Sequence, residues 1–174
     1  MNIIRLHSTN DPLFPVFERL YRSSFPEFEQ RTVEHQAKGL TADNYFLQCY
    51  MENELFVGFV AYWAFDDYLY IEHYAISDKV RGQGYGTRLL GEFIAGTDKT
   101  VILEIDPVVD EISQKRLRFY RALGFVENDY VHVHPPYQHK FHGHTLKVLS
   151  SGSAISEAEY QNFNHDLHHV VMVK

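Results

Sequence analysis

Val80-Arg81-Gly82-Gln83-Gly84-Tyr85-Gly86-Thr87-Arg88-Leu89-Leu90 is a glycine-rich turn that feeds directly into an amphipathic helix. Glycines at 82, 84 and 86 leave the backbone without Cβ atoms, so successive N–H groups can curl around an anion, and the helix behind them adds its positive end. Arg81 places a full charge beside those dipoles. The close of the turn discriminates among anion binders. A P-loop ends in Gly-Lys-Ser/Thr, whereas Gly86 is followed here by Thr87-Arg88. A dinucleotide turn spaces its glycines G-x-G-x-x-G with an acid about 20 positions later. Here the glycines lie two apart, which counts against that reading.

The elements around the turn give it context. Asn2 to Leu6 reads as a strand, and Asp11 as the cap of a helix carrying Phe14, Phe17, Leu20 and Tyr21 on one face and ended by Pro26. A second helix is expected from Thr32 to about Lys38, stopped by Gly39. Tyr45 to Met51, Leu55 to Phe65 and Tyr68 to Ser77 are rich in aromatic and β-branched residues and read as a meander that delivers the chain into the turn. Leu89, Leu90, Phe93 and Ile94 mark the buried face of the following helix, closed by Gly96. Thr100 to Ile105 is a nearly continuous apolar run containing one acid, Glu104, as expected of a strand covered on both faces. A helix from Glu111 to Leu123 stops at Gly124, and a strand region begins at Phe125. Strands near Tyr130 to His134 and His144 to Ser150 follow, then a helix opened by Ser156 with Glu159 as a capping box. This order predicts an α/β (α+β) fold: a mixed, mostly antiparallel central sheet with flanking helices, in which the turn and its helix join two parallel strands.

A chain of 174 residues suits one domain, residues 1–174. Its 45% hydrophobic content is that of a globular protein, and a net charge of −7 argues against a nucleic-acid partner. The start lacks a signal pattern and no apolar run reaches membrane-spanning length, so a cytoplasmic protein without a membrane partner is expected. The single cysteine, Cys49, lies in an apolar run and reads as a buried thiol.

Arg81, Gly84 and Gly86 fill the Arg/Gln-x-x-Gly-x-Gly/Ala turn of the GCN5-related N-acetyltransferases (GNAT), which the chain resembles. A second point of resemblance is Phe119-Tyr120-Arg121-Ala122-Leu123-Gly124-Phe125, similar to the family's Phe-Tyr-x-x-Leu-Gly-Phe. A third is the segment Tyr21 to Arg31, similar to the helix-to-helix connection of many bacterial members. The resemblance implies a GNAT fold and direct transfer of acetyl from acetyl-CoA, as co-substrate, to a primary amine of a small molecule or peptide, with no metal. It implies that N–H groups of Gln83, Gly84, Gly86 and Thr87, in the turn that also holds Gly82 and Tyr85, carry the CoA pyrophosphate, supported by Arg81. Ile76 and Ser77 would line the pantetheine arm. Ser113 stands where relatives often carry an amide, and Tyr120 where many carry the acid that protonates the departing thiolate. A homodimer is a further expectation.

The proton acceptor for the amine is open between two acids. Glu104, inside an apolar strand, is expected to have its pKa raised by burial; Glu72, four residues before Ile76, reads alternatively as a strand acid facing solvent or pairing with Arg. Glu104 is placed ahead of Glu72. Five of the eleven histidines fall between His132 and His144. His132 and His134 could oppose His142 and His144 across a hairpin in a zinc-like arrangement, but with no cysteine among them a structural or acceptor-contacting role is preferred. His134-Pro135-Pro136-Tyr137 reads as a rigid loop that sets Tyr137, with Phe141 nearby, at the substrate mouth. The competing classes are a catalytically silent CoA-binding sensor or interaction module on the same fold, and a nucleotide-binding module.

Overall fold

The computed structural model describes residues 1–173. Strands β1 (Asn2–Leu6), β2 (Tyr45–Glu52), β3 (Leu55–Ala64), β4 (Tyr68–Ile76), β5 (Thr100–Ile105), β6 (Phe125–Glu127), β7 (His132–His134) and β8 (His144–Ser151) form one mixed sheet. Its order is β1-β2-β3-β4-β5-β8-β6, with β7 paired to β8. Every pairing is antiparallel except β4 with β5. The helices are α1 (Phe14–Ser24), α2 (Val33–Leu40), α3 (Tyr85–Ala95), α4 (Glu111–Ala122) and α5 (Glu157–Asp166). The predicted mixed fold is therefore present, with α3 as the crossover between the two parallel strands.

Strand alternation sorts the core into two layers. Tyr45, Leu47, Cys49, Phe59, Ala61 and Ile102 face Phe17, Tyr21, Leu40 and Phe163, which come from α1, α2 and α5. Tyr50, Val60, Ile71, Val101 and Leu103 face Leu89, Leu90 and Leu117 from α3 and α4. Cys49 is fully buried, and burial pushes its thiol up to about 12.

Several boundaries differ from the sequence expectation. Asp11 accepts from Leu13 N at 2.9 Å and closes a turn, so the helix begins three residues later, at Phe14. Gly39 lies inside α2, where tertiary packing overrides its stop signal. The region at Phe125 becomes a separate strand, so three strands rather than two occupy the last third. A π-helical turn, Leu167–Val171, extends α5 and carried no signal in the pattern.

Two irregularities of β4 create the opening that matters for function. It pairs with β5 only from Tyr68↔Thr100 to Tyr70↔Ile102, and beyond that the strands part. Its register against β3 then steps from Tyr62↔Ile71 to Ala61↔His73, leaving Glu72 as the extra residue of a bulge. Bulges bend a strand and re-aim a side chain. Glu72 and Glu104 each lie two residues beyond the last parallel pair, at the crotch of the fork.

Candidate functional site

The fork opens into a cleft of about 730 Å³. Its walls are the ends of β4 and β5, the α1–α2 segment from Ser23 to Glu29, one face of α4, and the loop between β7 and β8. Of the residues singled out from sequence, Glu72, Ile76, Arg81, Glu104 and Tyr120 line it together. None of the residues from Gly82 to Thr87 is in its lining, although they follow Arg81 directly; Gly82, Gln83, Gly84 and Thr87 are exposed and Tyr85 and Gly86 half-buried. Ser77 and Ser113 lie off the lining and are occupied elsewhere. Ser77 N donates to Val57 O at 2.8 Å, and its hydroxyl caps the short 3-10 turn before Arg81. The Ser113 hydroxyl completes the capping box of α4 by accepting from Asp110 N at 3.0 Å, and it donates to Asp110 Oδ1 at 2.7 Å. With its hydroxyl so engaged, Ser113 is not among the side chains that line the cleft.

The glycine turn has the geometry of an anion cradle. Gly82 and Gly84 both hold φ +80°, and a Cβ at either would meet nothing within 4 Å, so the backbone surface there is open. Gly84 is the N-cap of α3, which has no side-chain cap and no acid in its first turn. Helices α2, α4 and α5 all carry a side-chain cap. The first N–H groups of α3, like those of α1, thus lack the side-chain partner that α2, α4 and α5 have. Gly86 answers a different demand, since a Cβ would lie 3.0 Å from the Tyr74 hydroxyl, which donates to Gly86 O. Arg81 Nε donates to Ile76 O at 3.2 Å, tying the turn to the end of β4. Lys115 and Arg116 of α4 add positive charge on the same side of the cleft.

Tyr120 is held between Phe119 and Phe125, and no hydrogen bond to its hydroxyl forms among the described residues. Burial pushes its phenol up to about 12, which keeps it protonated at neutral pH.

The two acids at the fork differ from each other and from expectation. The Glu72 side chain is fully buried and takes a bidentate pair from Arg31, with Nε at 2.7 Å and Nη2 at 2.9 Å. Trp63 Nε1 and the Tyr137 hydroxyl also donate to it, at 2.8 and 3.1 Å. Burial opposes its charge, but the Arg31 guanidinium more than offsets this and holds the carboxyl at about 2. Of the two alternatives for Glu72, pairing with Arg is the one realised. Glu104 accepts from the Tyr70 hydroxyl and lies 2.6 Å from His132 Nε2, while His132 Nδ1 meets the Tyr160 hydroxyl at 2.7 Å. Burial raises the Glu104 pKa as anticipated, yet His134, His132 and the Tyr70 hydroxyl outweigh it and keep the carboxyl below its ordinary value. Glu104 therefore remains a carboxylate.

Sequence reasoning missed Glu29, which lines the cleft from the 3-10 turn Glu27–Glu29. Among the described residues its carboxylate has no ion-pair or hydrogen-bond partner. Burial, then Asp106, raise its pKa to about 7 against the opposing pull of Arg116. Only the likeness of the Tyr21–Arg31 segment pointed near it. His73 was also missed; burial lowers it to about 4, leaving a neutral ring whose Nε2 meets Glu29 O at 2.9 Å. Tyr137 reaches the cleft as expected but is buried there and spent on Glu72. Phe141 packs against Phe28, and Phe28 takes the lining position. The histidines pair as β7 and β8 pair, His134 opposite His144 with ring centroids 5.2 Å apart. No cluster of three or more metal-ligating side chains occurs among the described residues.

The sequence model for the Acetyltransferase (GNAT) family matches residues 11–125. A Bacillus subtilis protein described as "Putative acetyltransferase YjbC" is 36% identical over 63 residues, 35% of this chain and 32% of that protein. That match thus spans about a third of the length of the curated relative. Among solved structures, a GNAT-family protein of Bacteroides thetaiotaomicron superposes over 100% of both chains, with a TM-score of 0.91 and 28% identity. A GNAT acetyltransferase of Elizabethkingia anophelis with acetyl-CoA bound covers 86% of this chain and 96% of its own, with a TM-score of 0.56 and 16% identity.

Proposed function

Because the chain belongs to the GNAT acetyltransferase family, we propose that it moves the acetyl group of acetyl-CoA directly to a primary amine of a small molecule or peptide. The observation that carries this reading is the fork: β4 and β5 part beside an uncapped helix N-terminus, and the space between them holds an unpartnered tyrosine hydroxyl. The residues present fit the donor. N–H groups from Gln83 to Thr87 would take the pyrophosphate, with Arg81, Lys115 and Arg116 adding charge, and Ile76 would flank the pantetheine arm. Bound acetyl-CoA would supply the activated thioester. We place the reaction in the cytoplasm, since a single buried cysteine suits a reducing compartment.

On the acceptor side Glu104, fixed as a carboxylate by Tyr70 and His132, holds the incoming ammonium by charge-assisted hydrogen bonding. Glu72 is committed to Arg31 and shapes the floor of the cleft rather than moving protons. Tyr120, protonated at neutral pH, gives its proton to the departing sulfur; burial makes the phenol a weaker acid than a thiol, so the transfer is coupled to proton loss from the nitrogen as the amide forms. The test combines calorimetric titration with acetyl-CoA and thiol release across polyamines, aminoglycosides, amino acids and peptides. We expect acetyl-CoA to bind, one amine class to release thiol, and Tyr120→Phe to bind acetyl-CoA normally but turn over about 10²-fold slower or worse. Unchanged turnover in Tyr120→Phe removes the acid role. Binding without release by any amine favours the silent module.

A further inference from the structure

The acceptor arrives as an ammonium ion and must lose a proton before its nitrogen can attack, and neither acid at the fork is suited to take it. Glu72 is neutralised by a buried guanidinium and Glu104 is held as a weakly basic carboxylate. A third group on the same wall is built for the task. His134 is 1% exposed, lines the cleft, and is stacked between Tyr137 at 4.9 Å and His144 at 5.2 Å. Its Nδ1 lies 2.6 Å from Pro135 O, and a carbonyl can only accept, so Nδ1 carries the ring proton. The other nitrogen, Nε2, is then a bare lone pair, and it is buried with no partner among the described residues. Buried polar atoms without partners are rare enough to call for an explanation, and functional sites supply one. A carbonyl-fixed tautomer also leaves the ring one orientation, which suits a base that must meet its proton at a set place.

We propose that Nε2 of His134 takes the proton from the acceptor ammonium, making His134 a catalytic residue; this rests on the acetyl-transfer reading above. The amine N–H bond breaks as an N–H bond forms on Nε2, and the freed lone pair adds to the thioester carbonyl. When the C–S bond breaks, sulfur takes the proton of Tyr120, and Tyr120 regains one from the nitrogen as the amide forms. The imidazolium passes the net proton to solvent. Tyr137 and His144 stack on His134, His73 of β4 and Glu104 of β5 interact with it electrostatically, and Glu29, Glu72 and Asp106 line the same cleft.

The test compares the full chain with His134→Asn, which can still donate to Pro135 O but has no basic nitrogen. Acetyl-CoA affinity is measured by calorimetry and thiol release across pH 6–9.5, using the best ammonium acceptor of the screen and 2,2,2-trifluoroethylamine, which is a free amine at neutral pH. We expect unchanged acetyl-CoA affinity and about a 10²–10⁴-fold loss near pH 7 with the ammonium acceptor. That loss should shrink about tenfold per pH unit as the acceptor deprotonates in solution. Trifluoroethylamine should lose little. Equal losses for both amines, or a wild-type rate and pH profile in the variant, overturn the proposal while leaving acetyl transfer intact. A wild-type protein that binds no acetyl-CoA and releases no thiol with any amine overturns both. If His134→Asn does not fold, ¹⁵N-histidine spectra of the wild type decide: a protonated Nε2 at neutral pH overturns the proposal, and a bare Nε2 that takes up a proton on acidification supports it.

Discussion

Glu29, Glu72 and Glu104 are chemically almost one residue, and their surroundings make them three. Glu72 is drawn to about 2 by a guanidinium, Glu104 is kept charged by two hydrogen-bonding rings, and Glu29, half-buried and unpaired, rises to about 7. Groups whose environments separate their titration take separate roles. The rise of Glu29 has a stability consequence whose sign can be worked out. Its folded pKa lies above the unfolded value of 4.5, so its contribution is fully present below about pH 4.5 and is lost as pH climbs through about 7. Glu29→Gln removes the buried charge, so the variant should gain urea resistance over wild type at pH 8 and show little gain at pH 4.5. An equal difference at the two pH values would show that Glu29 is not the titrating group. None of this was legible in the sequence. Glu104 stood out as an acid in an apolar strand, but its direction of shift depends on His134 and on His132, the latter 28 residues away, and the partner of Glu72 lies 41 residues away. Sequence gives the residue types of a site far more readily than their partners.

Local elements were the most legible part of the chain, because their signals are short-ranged. The glycine turn, the buried face of α3, the apolar run of β5 and the capping box of α5 all follow from residues within about a turn of one another. Where a signal competed with packing it failed, as at Gly39, and where geometry depends on a neighbouring strand it was invisible, as in the bulge at Glu72. Gly84 shows what the turn asks of its residues. At φ +80° a Cβ finds open space but a costly backbone conformation, so Gly84→Ala should lose about 1–2 kcal/mol of stability while the fold survives. The same methyl would stand on the surface offered to the pyrophosphate, so acetyl-CoA affinity should fall by more than the stability change alone explains. Calorimetric titration at a temperature where the variant is fully folded checks this; wild-type affinity in Gly84→Ala would mean that the turn does not carry the phosphates.

In the molecule as a whole, opening a sheet at its centre costs pairing, and something must hold the two halves at a fixed separation. Arg31 braces the β4 side of that opening. It is 1% exposed, binds Glu72 of β4 through two hydrogen bonds, and donates to Val171 O in the C-terminal π-helical turn at 2.8 Å. Its own N–H donates to the Tyr21 hydroxyl of α1, and the Arg22 guanidinium donates to its carbonyl. Three distant stretches of chain thus meet on one guanidinium beneath the cleft. A buried pair contributes little net stability when intact, because desolvation of both ions offsets their attraction, but removing one partner strands the other's charge. Arg31→Ala should therefore cost about 3–5 kcal/mol. The pairwise replacement Arg31→Met with Glu72→Met should recover most of that loss, since neither charge is left behind. Urea denaturation of the single and double variants measures the difference. If the double variant is no more stable than Arg31→Ala, the loss comes from the severed guanidinium contact to Val171 O rather than from the stranded carboxylate. If it recovers stability but not acetyl transfer, the ion pair serves to keep the fork open in its working shape.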